Sequence, residues 1–64
     1  MTYRMTAATT ALVTEDAFVG FENVDGYMLF GTVVEITGDD AIVMVDGETH
    51  SVEIDFIDQV EVAG

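Results

Sequence analysis

In "SVEIDF", Val52, Ile54 and Phe56 alternate with Ser51, Glu53 and Asp55. A period of two is the mark of a strand with one face in water. The stretch "AIVMV" is apolar throughout, with Ile42 and Met44 directed to one side and Val43 and Val45 to the other, and "GYMLFGTVV" has the same two-sided character. Asp25-Gly26, Gly38-Asp39 and Asp46-Gly47 punctuate these runs. Such pairs between segments rich in Val, Ile, Phe and Tyr are hairpin signals. The pattern predicts five strands, over residues 17–24, 27–37, 41–46, 49–54 and 59–62. Residues 1–16 read as a short helix; the threonines of "TAATTAL" are poor helix formers, which leaves an extra strand or a frayed tail as alternatives.

The 64 residues allow one domain, with residues 1–16 as an amino-terminal segment and residues 17–62 as a five-stranded antiparallel barrel. A chain of this size buries only about 60% of the surface its unfolded form exposes, so its core is limited. A curled sheet encloses one apolar face, and its second face and its strand edges then need cover. Either another subunit supplies that cover, or the amino-terminal segment does.

Composition narrows the chemistry. With no cysteine and one histidine, the chain has neither a disulfide framework nor a conventional zinc site. No metal and no cofactor is expected. The apolar runs fall short of a membrane span and the amino terminus lacks the features of a signal peptide, so a cytoplasmic protein is expected. Thirteen Asp and Glu against the single Arg4 give a formal net charge of -12. Phosphate backbones are normally held by Lys and Arg, so the chain as a whole should repel nucleic acid at long range. The acidity itself reads as solubility, as adaptation to a salty milieu, or as imitation of a nucleic acid.

Gly31, inside the long second predicted strand, permits a bulge, a bend or a close backbone approach. Around it, "VDGYMLFGTVVEI" resembles the first signature motif of the Sm, Lsm and Hfq proteins: Val24, Asp25 and Gly26, then Leu29, Gly31, Val33 and Ile36. The stretch "IVMVDGETHSVEIDFIDQVEV" is similar to the end of the same fold, with Val52, Ile57 and Val60 at core positions. The resemblance runs from Val19 to Val62 and extends to small Sm-like proteins of marine phages, for which the location would be the host cytoplasm. It implies a short helix followed by a strongly bent five-stranded barrel. It further implies a homo-oligomeric ring of about five to seven subunits, in which the fourth strand of one copy pairs with the fifth of the next and closes the sheet edges. Val43, Val45, Val52, Ile54, Val60 and Val62 are the candidate subunit-interface residues, and Asp25, Gly26 and Gly31 the structural ones.

By the same resemblance the ring would bind RNA or single-stranded DNA through stacking and hydrogen bonding. Tyr27, Phe30 and Phe56 are candidates for stacking, and Thr37, Ser51 and Gln59 for hydrogen bonding. The chain departs from the family at both expected binding loops. "TGDDA", Thr37 to Ala41, lacks the expected Asn, and Ile54-Asp55 stands where a basic pair is usual.

Each candidate has a plainer reading. Phe18, Phe21, Phe30 and Phe56 suit core or interface packing, and Asp39-Asp40 with Asp46 and Glu48 lacks regular calcium-ligand spacing and suits a solvated turn. His50 has no nucleophile arrangement around it, and no phosphate-binding loop appears, so no enzymatic activity is expected. The expected function is a non-enzymatic, ring-forming Sm-like protein that binds RNA or single-stranded DNA during nucleic-acid processing. The alternative is an acidic protein-binding assembly module, or nucleic-acid mimic, with a basic protein as partner.

Overall fold

The computed structural model describes residues 2–64, leaving only Met1 of the amino-terminal segment outside the described residues. The chain is almost entirely β: β1 (Tyr3–Ala7), β2 (Phe18–Glu22), β3 (Met28–Thr37), β4 (Asp40–Val45), β5 (Glu48–Glu53) and β6 (Ile57–Ala63), with one 3-10 turn at Ile54–Phe56 before β6. All six strands form one antiparallel sheet in the order β1-β6-β2-β3-β4-β5. Strands β2 to β6 coincide with the five predicted spans to within two residues at every end.

Local chemistry explains the hairpins. Val45 pairs with Glu48 across Asp46 and Gly47, and both turn residues have positive φ, 49° and 84°. A two-residue turn of that kind matches the natural twist of the strands it joins. At the next hairpin towards the amino terminus, Thr37 pairs with Asp40 across Gly38-Asp39.

Two expectations need correction. No helix forms among the described residues of the amino-terminal segment; Tyr3–Ala7 is instead a sixth strand, paired with β6 from Tyr3 opposite Ala63 to Ala7 opposite Gln59. The backbone groups on that side of β6 need partners, and an extended "YRMTA" supplies them where a helix would leave them bare. The sheet also does not close into a barrel by hydrogen bonding: β1 and β5 remain its two edges.

Between β1 and β2 the chain makes a compact turn in which the Leu12 and Val13 N–H groups donate to the Thr9 carbonyl, and Val13 enters the core. The Asp16 N–H then donates to the Val33 carbonyl at 2.8 Å, and the Val33 N–H to the Ala17 carbonyl at 2.9 Å. This clasps the segment onto the middle of β3.

The core lies on the inner face of the curled sheet. Val19, Val33, Val43 and Val60 are fully buried, with Phe21, Ile57 and Val13 around them and no buried polar side chain among the described residues. Among the interface candidates, Val43, Val45 and Val60 belong to this core, and Val52, Ile54 and Val62 pack against it half-buried. All six therefore stabilise their own chain.

Bending concentrates in β3. The register with β4 shifts between Val33 and Glu35, adding one residue to β3, and a bulge of this kind increases local twist. Two residues earlier, a Cβ on Gly31 would overlap the Met44 carbonyl oxygen and crowd Val45. The obstacle is main chain, which cannot swing aside. Gly31→Ala is therefore expected to destabilise the domain by about 1–3 kcal/mol, the usual range for overpacking, read as a lower urea midpoint at unchanged slope.

Candidate functional site

Alternation along the strands leaves a second apolar face, turned away from the core. Directly paired residues share a face, and the pairings build it row by row. Phe18 of β2 lies beside Thr32, Thr32 beside Met44, and Met44 beside Thr49. In the adjacent row Gly20 sits between Phe30 on β3 and Gln59 on β6, with Ala7 of β1 beyond. Glu22 lies beside Met28 at one end of the face; Glu35, Ile42 and Ser51 form a row at the other.

The centre of this face is greasy and exposed. Phe18, Met28, Phe30 and Met44 are each 37–42% exposed, which is high for large apolar side chains on the middle strands of a sheet. The Phe18 and Phe30 rings stack with centroids 6.2 Å apart and planes 14° from parallel. Gly20 creates the space beneath Phe30: a Cβ there would stand 2.6 Å from the ring and 3.4 Å from the Met28 methyl. The ring lies down on bare backbone. Both-sided apolar character in "AIVMV" and "GYMLFGTVV" is thus real, with Val43 and Val45 inward and Met44 outward.

The six nucleic-acid candidates do not converge. Phe30 and Gln59 flank Gly20 on the outer face. Ser51 and Phe56 border a shallow depression of about 660 Å³ that also contains His50, Glu22 and Glu53. Thr37 borders a separate one of about 540 Å³, beside Asp39, Asp40 and Asp55. Tyr27, exposed, stands at the β2–β3 turn. Both depressions are lined by carboxylates, a poor setting for phosphates. His50 is half-buried and packs its ring against Phe21, 5.7 Å between centroids.

Sequence reasoning missed Asn23. Its side-chain oxygen accepts from the Asp25 N–H at 3.0 Å and the Tyr27 N–H at 2.9 Å, while its own N–H donates to the Tyr27 carbonyl. Asp25-Gly26 marked the turn, but Asn23 organises it, and the habit of Asn side chains of bonding to backbone two residues on was the available signal. Among the described residues no group of three or more His, Asp or Glu side chains is placed to hold a metal ion, and no helix is long and apolar enough to cross a membrane.

No family model, no curated protein and no solved structure matches this chain.

Two variants probe this geometry. Asn23→Ala removes two acceptor contacts from a solvent-exposed turn and is expected to cost about 1 kcal/mol in urea unfolding. Gly20→Ala meets only a side chain that can rotate outwards, so it should cost less than Gly31→Ala while raising the binding of a hydrophobic dye such as ANS, as Phe30 lifts from the sheet. Equal destabilisation by the two glycine variants would contradict this assignment of the two faces.

Proposed function

We propose that this chain is a non-catalytic protein-binding module whose outer sheet face is the docking surface. One observation carries the proposal: Phe18, Phe30, Met28 and Met44 lie exposed on one face of the sheet, the two rings stacked, in a chain whose core is filled by other residues. Exposed apolar patches rimmed by polar groups mark interaction sites in soluble proteins. Aromatic and methionine side chains are also those enriched where proteins meet. The polar side chains beside them, Thr32 between Phe18 and Met44, Thr49 beyond Met44 and Gln59 across from Gly20, provide donors and acceptors without adding charge.

A second reading keeps the Sm-like ring that binds RNA or single-stranded DNA. What favours it is the unpaired outer edge of β5, the strand that would reach a neighbouring subunit. In such a ring β5 would pair with β6 of the next copy. Here β6 already has β2 on one side and β1 on the other, so that pairing requires β1 to leave. The separation of the six candidate residues among different surfaces, two of them acidic, weakens the binding half of this reading.

Solution mass and oligonucleotide binding separate the two. The docking reading expects no saturable change in fluorescence anisotropy of short labelled RNA or DNA oligonucleotides at low salt, with or without magnesium. Saturable binding that Tyr27→Ala or Phe56→Ala weakens several-fold, by a discrete ring seen in native mass spectrometry, would replace it with the second reading.

A further inference from the structure

Resting on the docking reading above, we infer that the occupant of the outer face is a cationic polypeptide segment with an apolar centre, held by its side chains on Phe18, Phe30 and Met44 and by its positive charges on the rim. Charge complementarity selects this partner over others. The face is bounded by Glu22 next to Met28, by Glu35 next to Ile42, and by Glu61, which faces Met5 of β1 and follows Val60 in the β6 segment paired with β2. No lysine exists in the chain. Its one arginine, Arg4, pairs with Val62, a position that alternates to the opposite side from Met5 and Glu61, and its side chain lies against Gly64. The apolar centre is therefore flanked by three carboxylates, with no Lys or Arg among the described residues of that face.

A second copy of the chain is a poor occupant for the same reason. Two outer faces meeting would bring together two sets of rim carboxylates on molecules that each carry a net charge of -12, and like charges set opposite one another oppose association. A cationic partner gains from the field during approach and from the apolar centre once docked. Spacing limits its size. Met28 and Glu35 are the ends of the face along β3, and seven residues of strand at about 3.3 Å each set an upper limit of about 23 Å on its length, which the bulge between Val33 and Glu35 shortens. An extended segment of about six or seven residues spans that distance, with its cations at the two ends.

Four synthetic octapeptides test this by fluorescence anisotropy against the intact chain. One has two lysines at each end and a Leu-Phe-Leu-Leu centre. The second exchanges the lysines for glutamates, the third exchanges the centre for Ser-Gly-Ser-Ser, and the fourth carries uncharged glutamine ends on the apolar centre. The first peptide is expected to bind at least tenfold more tightly than each of the others. Phe18→Ser with Phe30→Ser should abolish that preference over the Ser-Gly peptide. Glu22→Gln with Glu61→Gln should weaken the first peptide and flatten its salt dependence. These positions are solvent-exposed, and thermal melts confirm that each variant folds.

The outcomes distinguish the two levels of the claim. Equal binding of the lysine, glutamine and glutamate peptides, lost in the Phe18→Ser, Phe30→Ser variant, overturns the cationic partner and leaves the docking face standing. Binding unaffected by that variant overturns both. A dimer in analytical ultracentrifugation that the same variant dissociates assigns the face to a second copy and overturns the inference.

Discussion

Crowding at the middle of β3 is the constraint from which the rest of the molecule follows. Within four residues the strand must let Gly31 approach the Met44 carbonyl, bury Val33 completely, and insert an extra residue before Glu35. The same Val33 exchanges backbone hydrogen bonds with Asp16 and Ala17. A straight ten-residue strand would hold β4 and β2 in one flat layer, and a flat layer of this size encloses nothing. Bent here, β3 carries β4 over the valines of β2 and β6, and the clasp at Val33 brings Val13 in to fill the remaining space.

The bend also decides what stays outside. A side chain is committed to one face or the other by the pleat, so the residues that bring Val43 and Val45 inward send Met44 outward. With so small an interior, only part of the apolar half of the sequence fits inside. The remainder gathers around Phe18 and Phe30, where Gly20 provides a flat floor. Most carboxylates lie near strand ends and in turns, with Glu61 inside β6 an exception. The outer face is thus a consequence of the core's economy of space, and its acid border opposes the association of one such patch with another.

Much of this was legible in the residues, and unevenly. Strands β2 to β6 were readable because their turns are stated chemically, by Asp46-Gly47 and Gly38-Asp39, and because their apolar runs are dense. β1 was not, because an edge strand with no fully buried residue leaves no alternation to detect, and threonine and alanine carry weak preferences. Residue type alone grouped Phe18, Phe21 and Phe30 as packing residues. Only pairing register separates Phe21, inside, from the other two, outside, and a one-residue shift would reverse them. The six residues proposed for nucleic-acid contact were chosen for their chemistry and not their proximity. Their dispersal reflects that a sequence of strands gives no distances until the strand order is known.

The slender hold on β1 has a kinetic meaning. Its five residues contribute no fully buried side chain, and its attachment to β6 is a ladder of main-chain hydrogen bonds with Gly64 to Thr2 at one end and Ala8 to Asp58 at the other. Proteins open in parts, and segments with few apolar contacts open at far lower free energy than the core. β1 is therefore expected to open before β2, β3 and β4, as is β5, the other edge strand without a fully buried residue. Each opening of β1 bares the main chain of β6 beside hydrophobic Val60 and Val62, and so adds a third edge, flanked by core valines, to the outer edges of β1 and β5 that the closed sheet always shows.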